Sequence, residues 1–339
     1  MMRKLFLPLA VLAIFYGFYW LTGHLTKPRL PQSEEAPLLY ANQVEKDLAQ
    51  SLTQAIAGAK KSVVLLVYTL TDQRIIQALN KKAAEGVDVE VVVDGRASPY
   101  ADRKLSKDIK LLKRFSDGLM HLKVLVIDES QVFIGSANMT SDSLHMHGNL
   151  VTALVNPALA QYILQKARSM PVDGLGKAFR KETFTFGNQQ LEIWFLPDNP
   201  DAIHRLKQLM REAKKSIQIA MFTWTRRDLA QEVVDAKKRG VNVQVVLDHY
   251  AGKGAGAAIL KILTQNDIDV RMSQGGALLH HKCMVVDGET LVNGSANWTK
   301  AAFTQNDDCF IVLHNLTEEQ RKTLENLWQV LRNESRPAR

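Results

Sequence analysis

Short apolar runs alternate with amphipathic stretches along this chain. Residues 60–95, KKSVVLLVYTLTDQRIIQALNKKAAEGVDVEVVVDG, begin with the apolar run VVLLVYT and end with the apolar run VDVEVVVD. Between them, RIIQALNKKAAEG places its apolar residues at helical spacing. The pattern predicts a strand, a helix that ends at Gly86, and a second strand. This alternation is typical of a largely parallel sheet covered by helices.

The same pattern occurs a second time. Residues 214–249, KKSIQIAMFTWTRRDLAQEVVDAKKRGVNVQVVLDH, align with residues 60–95 at a constant offset of 154. Downstream, HLKVLVIDESQVFIGSANMT at 121–140 aligns with HHKCMVVDGETLVNGSANWT at 280–299, and 9 of these 20 positions are identical. Internal repeats of this kind indicate duplicated structural units. We therefore expect one α/β half over residues 38–185 and a second over residues 186–339.

The N-terminus carries a long apolar run, LFLPLAVLAIFYGFYWL, at residues 5–21. With Thr22 and Gly23 it would form a helix of about 28 Å, close to the roughly 30 Å of a bilayer core. A cleaved signal peptide is the alternative. The usual small-residue cleavage site is missing, however, and Phe, Tyr and Trp crowd the end of the run as in an interfacial belt. We therefore expect residues 1–23 to be a membrane anchor and 24–37 a linker.

The orientation of this anchor follows from the flanking charges. Arg3 and Lys4 favour a cytoplasmic N-terminus, although Lys27 and Arg29 weaken the asymmetry. The bulk of the chain would then be extracytoplasmic.

Composition narrows the possible partners only slightly. The chain is 46% apolar and 23% charged, as expected of a globular protein, and its net charge is +8. A basic protein favours polyanions, so nucleic acid and an anionic membrane surface are both candidate partners. A positive charge that serves only solubility is the alternative. Cys283 and Cys309 lie in apolar runs, and we expect both to be buried free thiols.

Each repeat also carries a histidine and a lysine at the start of a predicted strand. Residues i and i+2 of a strand lie on the same face, so His121 projects with Lys123, and His280 with Lys282. His281 would point away. The return strand of each repeat ends in Gly-Ser-x-Asn, and in an antiparallel pair the two ends meet.

This set of residues suits an anionic tetrahedral centre. Lysine and asparagine can hold phosphate oxygens as charged and hydrogen-bonding groups. One imidazole can attack phosphorus while the other protonates the leaving oxygen. A purely structural role in bracing the sheet is the alternative, and the retention of both sets disfavours it. We expect no cofactor and no metal.

The motif His-x-Lys-x4-Asp-x6-Gly-Ser-x-Asn resembles the signature of the phospholipase D superfamily. It comprises His121, Lys123, Asp128, Gly135, Ser136 and Asn138, and again His280, Lys282, Asp287, Gly294, Ser295 and Asn297. The resemblance implies two pseudo-twofold-related α/β/α sandwich halves with mixed sheets around one metal-free site. It also implies a phosphohistidine intermediate, catalytic roles for the His, Lys, Asp and Asn residues, and supporting roles for Ser136 and Ser295. One chain would suffice for one site.

The run GSANWTKAAFTQNDD looks most like the small periplasmic nucleases and the mitochondrial cardiolipin hydrolases of that superfamily. In this subgroup an acidic residue eleven positions after the motif Asn supports the catalytic histidine. Here the second repeat has Asp308, whereas the first has Asn149. Because a carboxylate raises the pKa of a partnered imidazole, we expect His280 with Asp308 to be the general acid. His121 with Asn149 would be the nucleophile.

Four functions remain open on this basis. The first is a membrane-anchored phosphodiesterase that hydrolyses phospholipids, favoured by the apolar N-terminus. The second is an endonuclease with the same site, favoured by the basic charge and the nuclease-like second motif. A cardiolipin-synthase-type phosphatidyl transferase is the third, and a non-catalytic phosphate-binding module is the fourth.

Overall fold

The computed structural model describes residues 28–44 and 47–338. The predicted membrane anchor, with its apolar run at residues 5–23, lies outside the described residues. Within the described ranges, no helix has the length and apolar character needed to cross a membrane.

The first half is built on a seven-stranded sheet of order β1-β7-β6-β5-β2-β3-β4. Its strands are β1 (Leu38–Ala41), β2 (Ser62–Val67), β3 (Asp88–Asp94), β4 (Lys110–Arg114), β5 (Lys123–Ile127), β6 (Gln131–Gly135) and β7 (Leu150–Val155). Its helices are α1 (Leu48–Gly58), α2 (Gln73–Ala84), α3 (Ala101–Lys104), α4 (Ser141–His145) and α5 (Pro157–Arg168).

The second half is built on a nine-stranded sheet of order β16-β12-β11-β10-β13-β14-β15-β9-β8. Its strands are β8 (Glu182–Phe186), β9 (Gln189–Leu196), β10 (Ser216–Met221), β11 (Asn242–Leu247), β12 (Asp269–Ser273), β13 (Lys282–Val286), β14 (Thr290–Gly294), β15 (Asp308–His314) and β16 (Ser335–Pro337). Its helices are α6 (Ala202–Glu212), α7 (Arg227–Lys238), α8 (His249–Lys253), α9 (Ala257–Gln265), α10 (Lys300–Thr304) and α11 (Glu318–Asn333).

Both sheets are mixed, and their pairing repeats. Strands β2, β3 and β4 run parallel, as do β10, β11 and β12. Strands β5 and β13 then return antiparallel to β2 and β10. The predicted duplicated α/β fold with two mixed sheets is therefore confirmed. The prediction of largely parallel sheets is wrong, because the remaining neighbouring strands of both sheets pair antiparallel. Because β5 and β13 begin where the parallel strands end, the segments that carry His121 and His280 lie at that edge of each sheet, which we call the site edge.

The two sheets pack against each other through a shared apolar core. One buried cluster contains Val64 and Val124 from the first sheet together with Val285 and Ile311 from the second. Two further clusters lie between each sheet and its own outer helices, such as α1 with the first sheet and α7 with the second. Burial of apolar surface is the main stabilising contribution to folding, so the shared core holds the two site edges together.

The predicted boundary between the halves, after residue 185, falls within β8. This strand pairs along its length with β9, so the second sheet begins at Glu182. The described part of the predicted linker, residues 28–37, does not run free of the body. The carbonyl oxygen of Pro31 accepts a hydrogen bond from Gln131, and that of Pro37 accepts one from Gln320 on α11.

The two cysteines lie in β13 and β15. Both are buried and neither forms a disulfide, which confirms the prediction of free thiols. Burial raises the pKa of each thiol to about 12, so both stay protonated at neutral pH.

Candidate active site

Each half presents a histidine and a lysine at the site edge in the same way. Lys123 begins β5 opposite Val67, and Lys282 begins β13 opposite Met221. The ammonium of Lys123 donates to the carbonyl oxygen of His121 at 2.7 Å, and that of Lys282 donates to the carbonyl oxygen of His280 at 2.8 Å. All four side chains are buried. Each histidine therefore lies beside the lysine two residues after it, as the spacing predicted.

The partners of the two histidines come from the opposite half. Nδ1 of His121 lies 2.8 Å from Oδ1 of Asp308, and Nδ1 of His280 lies 3.0 Å from Oδ1 of Asn149. The predicted pairing, His280 with Asp308 and His121 with Asn149, is wrong. It assumed that each histidine is supported from within its own half.

The tertiary structure exchanges the partners because the two halves meet at these segments. Met120 forms a bridge with Asp307, and Leu279 forms the equivalent bridge with Gly148. Each bridge brings the residue before a histidine beside the residue before its partner. The positions of Asn149 and Asp308 in the sequence therefore do not show which histidine ring each side chain contacts.

The two motif serines orient these crossing side chains. Ser136 Oγ donates to Oδ1 of Asn149 at 2.8 Å, and Ser295 Oγ donates to Oδ1 of Asp308 at 2.6 Å. Each serine thus holds a partner residue of its own half, which in turn holds the histidine of the other half.

The protonation of the rings follows from these contacts. Because Nδ1 of each ring faces an acceptor, Nδ1 carries the proton in the neutral ring and Nε2 holds the lone pair. Neither Nε2 atom has a hydrogen-bond partner among residues 28–44 and 47–338. The two Nε2 atoms are therefore available to a ligand.

Burial and positive charge depress the basicity of the whole cluster. Burial lowers the pKa of His121, although the charge of Asp308 opposes this effect. Burial also holds the pKa of His280 well below its usual value, and the charges of Lys282 and Lys123 lower it further. The pKa of Lys123 falls to about 7 on burial, and burial lowers that of Lys282 as well. A buried cluster with this excess of cationic groups is suited to an anion.

The motif asparagines lie at the same edge, just beyond the ends of β6 and β14. Oδ1 of Asn297 accepts a hydrogen bond from the backbone N–H of Thr223 at 3.3 Å. Oδ1 of Asn138 is buried and has no partner in the described part of the chain. Both side chains are partly exposed, so their amide groups can donate to a bound anion.

The motif aspartates do not lie beside the histidines with which they were predicted to act. The carboxylate of Asp128 accepts hydrogen bonds from the backbone N–H groups of residues 60–62, and that of Asp287 from residues 214–216. Each follows the far end of its strand, seven residues from the histidine, which is roughly 20 Å along an extended chain. They fix the connection between α1 and β2, and between α6 and β10.

Another pair of aspartates positions the site, and the sequence argument missed it. Oδ2 of Asp94 accepts from the backbone N–H of Met120 at 3.0 Å, and Oδ2 of Asp248 accepts from that of Leu279 at 3.0 Å. Both are buried. The sequence does contain a signal for this pair, because Asp94 and Asp248 occupy equivalent positions at the ends of VVVD and VVLD in the aligned repeats.

Aromatic side chains flank the two histidines. The ring of Tyr68 lies edge-on to His121, with centroids 5.3 Å apart, and the ring of Phe222 lies 4.9 Å from His280. The ammonium groups of Lys123 and Lys282 lie 5.3 Å and 4.8 Å from the same two rings. These cation–π contacts help to hold buried ammonium groups in place.

No cluster suited to a metal ion accompanies this site. Across residues 28–44 and 47–338, no group of three or more His, Cys, Asp or Glu side chains is arranged to hold one. Of the two histidines that follow the first motif, His145 contacts Arg74. The ring of His147 lies 6.4 Å from that of His280.

The fold and site together define a class of protein in which two similar α/β halves share one buried pair of histidines. Residues 52–170 and 206–328 match the family model described as "Cardiolipin synthase, PLD-like domain". The chain belongs to this phospholipase D family.

Individual relatives are similar over parts of the chain. A mitochondrial cardiolipin hydrolase of Chlamydomonas reinhardtii is 30% identical over 135 residues, which are 39% of this chain and 60% of that protein. The matched segment therefore spans less than two thirds of that relative.

Solved structures are similar to this chain as well. Phosphatidylserine synthase of Haemophilus influenzae superposes with a TM-score of 0.71 at 14% identity, over 92% of this chain and 90% of the other, which shows the shared fold. Nuc of Salmonella typhimurium, a phospholipase D family member, is 29% identical over 45% of this chain and 99% of its own, with a TM-score of 0.43.

Proposed function

We propose that this protein hydrolyses phospholipid phosphodiesters through a phosphohistidine intermediate, without a metal ion. The observation that carries the proposal is the pair of imidazoles, each held at Nδ1 by the opposite half, with Nε2 open and two buried lysines beside them. This arrangement supplies an anion site and two groups that can exchange protons with a phosphodiester.

In the first step, Nε2 of His121 attacks phosphorus and a P–N bond forms. The bond from phosphorus to the leaving alcohol breaks, and protonated His280 gives its Nε2 proton to the leaving oxygen. Lys123, Lys282, Asn138 and Asn297 would hold the nonbridging oxygens, whose charge increases in the transition state.

In the second step, water replaces the alcohol. His280, now neutral, removes a proton from the water at Nε2 as the water oxygen attacks phosphorus. The P–N bond breaks, and the electron pair returns to Nε2 of His121. The products are phosphatidic acid and the free alcohol, and both histidines regain their starting states.

The corrected pairing supports His121 as the nucleophile for a reason different from the predicted one. Attack by Nε2 leaves positive charge on the ring, and the carboxylate of Asp308 stabilises that charge through Nδ1–H. Asn149 offers His280 a neutral acceptor, which fixes its tautomer without adding charge. Burial and the charges of Lys282 and Lys123 hold the pKa of His280 low. The negative charge of a phosphodiester bound beside it would raise this pKa and supply the general acid.

The distribution of exposed apolar side chains favours a lipid substrate. Seven large apolar side chains are exposed in the described part of the chain, and all lie on segments at the site edge: Tyr100, Phe115, Leu119, Met146, Val172, Leu175 and Tyr250. Exposed apolar groups concentrated around a site mark a surface for membranes or other apolar partners. Four of the seven are aliphatic and offer no flat face on which a nucleic-acid base could stack.

Two further parts of the proposal concern location. The apolar run at residues 5–23 would anchor the chain in a membrane, and the catalytic region would be extracytoplasmic. The anchor would keep the site edge near its lipid substrate and raise the local concentration of that substrate.

The test uses the full-length chain purified in detergent, with a chelator present throughout. Phospholipid vesicles that contain cardiolipin, plasmid DNA and RNA are incubated in parallel, with His121→Ala as the inactive control. We expect phosphatidic acid from the lipids and intact nucleic acids. Cleavage of nucleic acid alone would establish the endonuclease instead. Transfer to added glycerol without hydrolysis would indicate the transferase. No turnover by a folded protein would indicate the binding module.

A further inference from the structure

The two halves do not share the exposed apolar side chains of the site edge equally. Five of the seven lie on segments of the first half: Tyr100, Phe115, Leu119, Val172 and Leu175. These segments are residues 96–104, 115–119 and 171–177, which we call the apolar patch.

Hydrogen bonds join the three segments of the apolar patch into one surface. The backbone N–H of Phe115 donates to the carbonyl oxygen of Val172 at 2.8 Å. The guanidinium of Arg96 donates to the carbonyl oxygen of Ser116 at 2.8 Å. The apolar side chains of the patch are therefore neighbours in the folded chain, although up to 75 positions separate them in the sequence.

A buried ion pair fixes the third segment of the patch. Nε of Arg114 donates to Oδ2 of Asp307 at 2.5 Å, and the same guanidinium donates to the carbonyl oxygens of Pro171 and Gly174. Only 2% of Arg114 is exposed, whereas 84% of Leu175 is exposed. The fold therefore ties this segment to the interface of the two halves and presents its leucine to the outside.

The second half lacks this construction. At an offset of 159, Arg114 corresponds to Ser273, and Asp307 corresponds to Gly148. At the same offset, Phe115 corresponds to the exposed Gln274. The duplication alone therefore does not account for the patch, which is a feature of the first half.

Cationic side chains accompany the apolar ones. The exposed cations of the patch are Arg96, Arg103, Lys104 and Lys177. The guanidinium of Arg103 lies 5.1 Å from the ring centroid of Tyr100. Of the three aspartates on the patch, Asp102 is paired with Lys113. Apolar side chains interspersed with lysine and arginine suit the interface of an anionic bilayer, where the apolar groups are buried and the cations meet the headgroups.

The patch extends to the active site. Leu119 lies two residues before His121, and its carbonyl oxygen accepts a hydrogen bond from the backbone N–H of Asp307 at 2.8 Å. Asp307 directly precedes Asp308, the partner of His121. A surface bound to the patch is therefore next to the segments that carry the nucleophile and its carboxylate.

We propose that the apolar patch docks the protein onto the surface of an anionic lipid bilayer. Tyr100, Val172 and Leu175 enter the interfacial region, and the neighbouring cations contact the headgroups. This inference deepens the proposed hydrolysis of phospholipids and rests on it for the choice of a bilayer as the partner.

The experiment measures contact between the patch and added vesicles, without turnover. The full-length chain carries His121→Ala and is held in nanodiscs of phosphatidylcholine. Leu175→Cys bears a fluorophore, and Gln231→Cys, exposed on α7, is the control position. Both native cysteines are buried, so the introduced thiol is the one that reacts. The added vesicles are phosphatidylcholine with or without phosphatidylglycerol, and they contain a nitroxide-labelled lipid that quenches the fluorophore on contact.

We expect the anionic vesicles to quench the label at residue 175 and to leave the label at residue 231 unchanged. Arg103→Gln combined with Lys177→Gln should weaken binding to these vesicles roughly tenfold or more, because two cations at the anionic surface are lost. Lys237→Gln combined with Lys238→Gln removes the same charge from α7. This control should change the affinity by less than about twofold, because screening weakens distant charges.

The apolar contribution is tested with a matched pair of tyrosines, read by the label at residue 175. Tyr100→Ser should weaken binding about tenfold, because the ring is no longer buried in the interface. Tyr250→Ser removes the exposed tyrosine of the second half and should keep the affinity of the parent protein.

Equal quenching at residues 175 and 231, quenching at neither, or equal losses in the two tyrosine variants would overturn the assignment of the patch. A response at residue 175 that depends on protein concentration and not on vesicles would show that the patch binds a second copy of the chain, which would also overturn it. Lipid hydrolysis by the protein with His121 intact, together with an unquenched label, would refute the docking surface alone. Docking without any lipid hydrolysis by the wild type would refute the proposed function alone.

Discussion

Asp308 of the second half accepts a hydrogen bond from Nδ1 of His121 in the first half, at 2.8 Å. The equivalent contact in the opposite direction joins Asn149 to His280 at 3.0 Å. Each half therefore lacks the residue that orients its own histidine. Only one of the two partners carries a charge, so the exchange makes two otherwise similar imidazoles chemically different.

This difference predicts opposite effects of two substitutions. Asp308→Asn keeps an acceptor at His121 but removes the charge that opposes the effect of burial on the His121 pKa. We expect kcat to fall roughly 100-fold or more, because the carboxylate no longer stabilises the charged ring. The acid limb of the kcat/KM profile, which reports deprotonation of the nucleophile, should move to lower pH.

Asn149→Asp is the matched change at the other histidine. It adds a charge beside His280 and raises its pKa, so the alkaline limb, which reports the general acid, should move to higher pH. Profiles measured for both variants between about pH 5 and pH 9 provide the check. The assignment would be contradicted if Asp308→Asn moved the alkaline limb and Asn149→Asp moved the acid limb.

The roles of the two histidines can be separated by the leaving group. An activated aryl phosphodiester needs little help from a general acid, whereas the nucleophile is needed for every substrate. We therefore expect His280→Ala to retain measurable turnover on the aryl substrate and to accumulate the phosphorylated histidine. His121→Ala should show neither. Rapid-mixing measurements of aryl alcohol release, with ³¹P NMR of the trapped protein, check both points. Turnover by His121→Ala alone would reverse the roles.

Lys123, the buried lysine of the first motif, should lower the free energy of unfolding, although its ammonium group is needed for activity. Burial lowers the pKa of Lys123 from 10.5 to about 7. The folded state therefore binds the proton less tightly than the unfolded state, so this group destabilises the fold fully below pH 7. The effect declines as the pH rises from about 7 towards 10.5.

Lys123→Met should consequently increase the free energy of unfolding at pH 6 by about 2 kcal/mol and by less at pH 9. It should also reduce kcat at least about 100-fold, because a group that holds the phosphate is lost. Urea denaturation at both pH values, with kcat measured beside it, provides the check. A variant less stable than the wild type at pH 6 would show that the ammonium stabilises the fold.

The motif aspartates should affect stability and leave the chemical step unchanged. Asp128→Ala leaves the backbone N–H groups of residues 60–62 without their acceptor. We expect a loss of about 1–3 kcal/mol in the free energy of unfolding, with kcat per folded molecule within about twofold of the wild type. Asp287→Ala is the matched change in the second half. A large fall in kcat with unchanged stability would restore the catalytic role.

The pH dependence of stability gives an independent measure of the same contacts. Burial raises the pKa of Asp128, but hydrogen bonds from the backbone amides of Lys61 and Ser62 outweigh it, and the pKa lies below 3.8. Its contribution is therefore present above pH 3.8 and is lost as the pH falls through the lower folded value. The difference in stability between wild type and Asp128→Ala should shrink over that window in acid denaturation.

The sequence by itself determined the duplication, the α/β class, the strands that begin at Lys123 and Lys282, and the histidine two residues before each of them. These features depend on local periodicity and on two aligned repeats, and both are visible in the chain. Even Asp94 and Asp248 could have been found by comparing the repeats, because their contacts lie within one half.

Only the tertiary structure decided which side chain reaches which ring. The contacts between Asp308 and His121, and between Arg114 and Asp307, join residues about 190 positions apart across the interface of the two halves. No periodicity encodes such a contact, since it depends on how two separately patterned sheets pack face to face. The same packing gave His121 a carboxylate partner and His280 an amide partner, so the two similar motifs differ chemically.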